Sequence, residues 1–200
     1  MRGNFNMLLL VVWLMTGDLH VLAQPTYNSI KPRSTVTIKG TSNIHDWEME
    51  VQDFSCSIML LPEPETLLIQ AASFNAKAGS IKNQSSIMNN KTHDALMTDR
   101  YPDITFQASA KEVLRINQGS FQGSLTGTLR IAGEANRITL PFTGEILSGA
   151  EVLISGSEEL RMSDFGIRPP TAILGTLKTG DEVTVDFRMV LKRERVNHSP

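Results

Sequence analysis

This 200-residue chain has one cysteine, Cys56, so no disulfide can form within it. The fold must be held by its apolar core and its backbone hydrogen bonds. Cys56 sits in SCSIMLL with Ile58 and Leu60 on the same face of an extended chain. That placement predicts a buried apolar thiol, since a reactive one needs a lowered pKa and polar partners. Charge of one sign is also missing. Nineteen Lys and Arg face twenty-one Asp and Glu, a net of −2, which argues against a nucleic-acid partner. The basic run Lys192-Arg193-Glu194-Arg195 is short and reads as a solvated strand end. No GxSxG or HExxH motif is present. Of the four histidines, His20 lies in the leader described below and His198 in the tail. The remaining two, His45 and His93, are far apart in sequence and make no metal constellation with Cys56. We expect no metal, no cofactor and no catalysis.

Long hydrophobic runs are scarce as well. The one clear run is Met7–Met15, MLLLVVWLM, too short to cross a hydrocarbon core of roughly 30 Å as a helix. Arg2 precedes it and Val21-Leu22-Ala23 follows, with small residues where a signal peptidase reads. This predicts a secretory leader over 1–23, cut after Ala23, and one domain over 24–200. It predicts an exported protein, periplasmic or extracellular, with no stable membrane span after cleavage.

What is present is period-two alternation. Val36 and Ile38 alternate with threonines, and Trp47, Met49 and Val51 alternate with glutamates. The same pattern recurs at Ile104–Ala108, Phe121–Ile131, Ile138–Phe142, Val152–Ile154 and Val183–Leu191. These are β-strands with one apolar face. Gly119-Ser120, Ala132-Gly133, Ser148-Gly149 and Thr179-Gly180 mark turns between them. One stretch differs. In SSIMNNKTHDALMTD, residues 85–99, the positions Met88, Thr92, Ala95 and Leu96 share one helical face. Tyr101-Pro102 then returns the chain to strand. Many antiparallel strands and one helix predict a mainly β protein, a closed or nearly closed barrel. Gly123 and Gly127 lie on the inward face of their strand. They either bend the sheet and leave room inside, or belong to a filled core; spacing leaves both readings open.

His45-Asp46, in GTSNIHDWEMEV, could be a base and its orienting carboxylate. Neighbours on an extended strand point to opposite faces, which weakens that reading. The simpler expectation is that Asn43 and Asp46 cap a turn by local hydrogen bonds while His45 stands at the barrel mouth. A contact from His45 to the head group of a ligand is the alternative.

The order of VTIKGTSNIHDWEMEV, MTDRYPDITF, GSLTGTLRIAGEANRITLPFTGE, LRMSDFGI and DEVTVDF resembles the YceI-like family, the lipid- or polyisoprenoid-binding YceI-like domain. The resemblance runs from about Ser29 to Arg193. It implies a lipocalin-like antiparallel β-barrel of about eight strands with one helical insertion. It also implies export to a bacterial periplasm and a long isoprenoid or fatty-acyl chain held inside. The chain departs from the family in its helix. Where many members carry Arg-Asp-x-His-Leu, this sequence reads KTHDAL, with His93 and Asp94 but no matching arginine.

Face parity together with the resemblance gives the candidate ligand-binding residues: Trp47, Met49, Phe106, Phe121, Leu125, Phe142, Phe165, Phe187 and Met189, with His45 at the head group. The leading function is a non-catalytic carrier of an apolar chain. Two alternatives are a non-catalytic envelope stress or interaction module with a filled barrel, and an enzyme acting on a bound lipid. The interior decides among them. A homodimer formed through an exposed strand edge is left open.

Overall fold

The computed structural model describes residues 25–148, 150–172 and 176–194. The leader 1–23, Gly149 of the expected Ser148-Gly149 turn, Arg195 and His198 lie outside the described residues. In chain order the strands are β1 (Thr26–Ser29), β2 (Thr35–Ser42), β3 (Trp47–Val51), β4 (Phe54–Pro62), β5 (Thr66–Lys77) and β6 (Ile81–Lys82). The helix α1 (Ser86–Leu96) follows. Then come β7 (Asp103–Arg115), β8 (Ser120–Ile131), β9 (Glu134–Ser148), β10 (Glu151–Arg161), β11 (Thr171–Ala172) and β12 (Leu177–Arg193).

Every strand pairing among the described residues is antiparallel. The strands run in the order β1-β4-β5-β7-β8-β9-β10-β12, and β1 pairs with β12 as well as β4, so the ring of eight closes. Closure removes the exposed edges that an open sheet would present. β12 is long enough to serve two neighbours. Leu191–Arg193 pairs with β1, while residues Thr179 to Arg188 pair with β2, which in turn carries β3 and β6. The expected mainly β, lipocalin-like antiparallel barrel with one helix is the observed architecture.

The alternation maps onto burial. On β8, Phe121, Leu125 and Leu129 are buried and Ser120, Gln122, Ser124 and Thr128 are exposed. Two hairpins turn on residue pairs with positive φ: Gln118 and Gly119 at 51° and 81°, then Ala132 and Gly133 at 49° and 88°. Such turns match the right-handed twist of the strands that they join. β5, TLLIQAASFNAK, has no regular alternation in sequence. Its register shifts between Ile69 and Ala71, so the inward parity changes partway along the strand.

The barrel is filled at one end and hollow at the other. In the filled end, phenylalanine rings lie over glycines of neighbouring strands. A Cβ on Gly127 would stand 2.5 Å from Cζ of Phe106, one on Gly144 2.2 Å from Cζ of Phe121, and one on Gly156 2.4 Å from Cζ of Phe187. Gly123 similarly seats Leu114, whose Cδ2 would be 2.5 Å from such a Cβ. The glycines at 123 and 127 therefore do not leave room in the lumen. They let side chains from the adjacent strand close over the backbone, which also allows the sheet to curl. Each ring so buried contributes about 1.5–3 kcal/mol of hydrophobic stabilisation.

Cys56 faces this interior, and burial pushes its thiol from the ordinary 9.0 up to about 12. A raised acid pKa means that the folded state disfavours the thiolate. Below pH 9 the neutral thiol costs nothing in either state. Between about 9 and 12 the unfolded thiol ionises and the folded one does not, so stability falls as pH rises through that window. Folded protein at pH 8 should leave Cys56 unmodified by iodoacetamide over hours, whereas denatured protein should be fully alkylated, as read by intact mass.

Candidate functional site

The hollow end is a cavity of about 550 Å³, within the size range of small-molecule pockets. Its wall is set by inward positions of several strands. Ile38 of β2, Met49 of β3, Ile104 of β7, Ile131 of β8, Leu160 of β10 and Val185 of β12 supply the apolar lining. They belong together because the ladders place Ile38 opposite both Met49 and Val185. Trp47 flanks them with its ring over Gly40, its register partner, and its indole N–H donates to the carbonyl of Thr41 at 3.0 Å.

The helix closes one side. Ser85 caps it, accepting from the amide of Met88 at 3.3 Å, and Met97 ends it in the left-handed conformation at φ 51°. The predicted face Met88, Thr92, Ala95 and Leu96 is the face that lines the cavity. Asn83 fastens the helix to the barrel. Its amide group donates to the carbonyl of Glu48 at 3.2 Å, its backbone N–H donates to Asn89 at 2.8 Å, and Asn89 donates back to its carbonyl at 3.1 Å. His93 takes part in this anchoring through one ring nitrogen. Its Nε2 lies 2.9 Å from the carbonyl of Ile81, which can only accept, so that nitrogen carries the proton. Thr92 donates to the Met49 sulfur at 3.2 Å, so this hydroxyl enters the apolar wall with a partner.

The wall is completed where β9 and β10 part. Their ladder reaches only from Ser148–Glu151 to Thr143–Ser155. The turn Met162–Phe165 fills the gap beyond, and Phe165 and Ile167 enter the wall. Two hydrogen-bond clips hold that turn. Asn136 of β9 donates to the carbonyl of Asp164 at 2.6 Å. Ser163 donates its backbone N–H and hydroxyl to the carboxylate of Asp181 at 2.9 and 2.5 Å, and these bonds hold Asp181 below the usual carboxylate range. Glu158 departs from the apolar parity of β10. It points inward opposite Val185, where partial burial, and then the neighbouring charge of Glu159, raise its pKa.

The rim is polar. Ser42, His45, Asp46, Asn83, Ser85, Lys91, Arg161 and Thr179 border the opening, together with the largely exposed Ile87. The loop that carries His45 is organised differently from the expectation. Ser42, not Asp46, makes the local bonds: its Oγ accepts from the amides of Ile44 and His45 and donates to the carbonyl of His45 at 2.7 Å. Asn43 reaches across the chain instead. It donates to the carbonyl of Thr176 at 2.8 Å and accepts from the amide of Lys178 at 2.9 Å. A side chain acting as a strand partner to a segment 133 residues away leaves no local signature in sequence.

The candidate residues therefore divide. Trp47, Met49 and Phe165 line the cavity and His45 stands exposed at its mouth. Phe106, Phe121, Leu125, Phe142, Phe187 and Met189 lie outside the lining; all but the partly exposed Phe187 are buried in the filled end. Parity tells which face of a strand is inward but not how far along the barrel a residue sits, so both halves look alike in sequence. Missed altogether were the isoleucines Ile38, Ile104 and Ile131 and the helix face. The inward parity of the isoleucines was legible, but nothing along the chain marked them as wall instead of core. Among the described residues no group of three or more His, Cys, Asp or Glu side chains could hold a metal ion, and no helix is long and apolar enough to cross a membrane.

A closed antiparallel barrel with a helix across one end and an apolar, polar-rimmed cavity beneath it defines the class: a lipocalin-like barrel with an internal cavity. The YceI-like domain profile matches residues 27–191, and the chain belongs to that family. Three solved structures share the fold. BcnA of Burkholderia cenocepacia is 20% identical, with a TM-score of 0.63 over 81% of this chain and 98% of its own. A polyisoprenoid-binding domain from Saccharophagus degradans, implicated in plant cell wall breakdown, is 14% identical, with a TM-score of 0.69 over 86% of this chain and 100% of its own. The Campylobacter jejuni YCEI protein is 22% identical, with a TM-score of 0.51 over 78% and 85%. A comparison with curated proteins finds no match.

Proposed function

We propose that this protein is an exported, non-catalytic carrier of an amphipathic molecule whose apolar chain, isoprenoid or fatty-acyl, lies in the cavity between α1 and the barrel. The observation that carries this reading is the cavity itself: about 550 Å³, walled largely by aliphatic and thioether side chains and bordered by polar ones. A hydrocarbon entering such a space gains about 0.8 kcal/mol for each methylene removed from water. No directional contact is required for that gain, which fits a wall with few polar atoms. The rim supplies what a head group needs, with Lys91 and Arg161 as cations and Ser42 and His45 as hydrogen-bonding groups.

The Saccharophagus degradans domain of the same fold, described as polyisoprenoid-binding, supports an apolar chain as the cargo class. A carrier role fits the commitments of the polar side chains better than an enzyme does. His93 is tied to the carbonyl of Ile81, and His45 and Asp46 are both exposed at the rim. Export rests on the features of residues 1–23 that suit a cleaved leader.

Protein purified from a bacterial host and extracted with organic solvent should yield about one equivalent of a single-tailed lipid by mass spectrometry. Delipidated protein should then bind a fluorescent fatty acid with a one-to-one end point. An empty extract together with no saturable binding of the fluorescent chain would overturn the proposal.

A further inference from the structure

The cavity stops abruptly. On β12, Val185 lines it, Phe187 does not, and Met189 is 5% exposed in the filled end. The same step occurs between Ile104 and Phe106 on β7, where Phe106 is 5% exposed. Two cross-strand rows mark the level of this step. In one, Phe74, Phe106 and Leu129 are successive register partners on β5, β7 and β8. In the other, Val36, Phe187 and Gly156 are successive partners on β2, β12 and β10. Two of the phenylalanines are seated by glycine, Phe106 over Gly127 and Phe187 over Gly156. A ring fixed over a neighbouring backbone in this way has little room to swing aside when a chain presses on it.

We infer that the layer holding Phe106 and Phe187, directly beneath the side chains that line the cavity, forms a fixed floor across the barrel, and that this protein selects its ligand by chain length. It takes chains that end at the floor and does not thread one through the barrel from end to end. The inference rests on the carrier reading above and adds a limit to it. Phe187 is the residue to alter, because it is only partly buried and has no polar bond to lose. Removing its ring deepens the cavity by one layer, down to Met189 and Ile154, which are buried beneath. Val185, directly above, offers the opposite change, since a larger side chain there raises the floor.

The test is a set of saturated fatty acids and linear prenols of increasing length, competed against a fluorescent fatty acid on the delipidated protein. Affinity of the unaltered protein should rise roughly fourfold with each added methylene and then level off once the chain reaches the floor. Phe187→Ala should move that levelling point to longer chains, and Val185→Phe should move it to shorter ones. Phe187→Leu, which keeps most of the buried volume, replaces Phe187→Ala if the latter does not fold, and should shift the point in the same direction by less. A levelling point at the same length in all folded variants would overturn the floor. Binding of none of these chains by the unaltered protein would instead overturn the carrier reading, so the two failures are distinct.

Discussion

Ile38→Asp should weaken retention of an apolar chain by about two orders of magnitude while leaving the barrel folded. Ile38 stands at the middle of the cavity wall, with Met49 and Val185 as its register partners on either side. In the empty protein a carboxylate there borders a cavity that opens at a polar rim and stays accessible to water, so the melting temperature should move by only a few degrees. A hydrocarbon entering the cavity displaces that water and leaves the charge without a partner. Desolvating one unpaired ion costs several kcal/mol even after relaxation. Taking about 3 kcal/mol, affinity for a fluorescent fatty acid should fall by roughly 100-fold. Ile38→Val removes one methyl and adds no charge, so it should bind within a few-fold of the unaltered protein. Equal affinities for Ile38→Asp and Ile38→Val would place the chain somewhere other than this cavity.

Gly127→Val should damage the fold itself. A side chain at 127 would put its Cβ 2.5 Å from Cζ of Phe106 and 2.6 Å from the carbonyl oxygen of Gln107. The ring could move only by disturbing the floor, and the carbonyl belongs to the backbone of β7, so neither neighbour yields cheaply. Valine adds two methyls to that conflict. Overfilling of this kind costs about 3 kcal/mol or more. At roughly 2–4 °C per kcal/mol for a domain of this size, the melting temperature should drop by about 6–12 °C, and soluble yield should fall with it. Gly79 is the control. It lies in the turn between β5 and β6, and a Cβ there meets nothing within 4 Å. Gly79→Ala should melt within about 2 °C of the parent by circular dichroism. If Gly127→Val melts with Gly79→Ala, the ring over the glycine is not a structural requirement.

These two positions show how far the sequence could be read. The alternation around Ile38 and around Gly127 identified both as inward-facing. It could not separate them, because a wall residue and a core residue share the same period of two. What separates them is position along the barrel axis, which depends on strand stagger and on which ends the helix covers. The rings over Gly127, Gly144 and Gly156 come from neighbouring strands or from register partners, so a single strand read alone shows an unexplained glycine. β5 escaped notice for a related reason: its bulge after Ile69 breaks the alternation that identifies a strand. Asn43 was read as a local cap because its type favours turns, and only the approach of residues 176–178 gave it distant partners.

The amino-acid order alone determined the class of fold, the helix with its apolar face, the turns at Gly119 and Gly133, and the inward placement of a partly buried Cys56. All of these follow from local periodicity, backbone preference and side-chain polarity, which act over a few residues. The tertiary structure alone decided that the barrel is hollow beneath the helix, that Phe106 and Phe187 fall below the cavity lining, and that His93 serves the scaffold. Those outcomes depend on which strands become neighbours and at what stagger, and closing the ring through β1 and β12 fixes that for the whole chain at once.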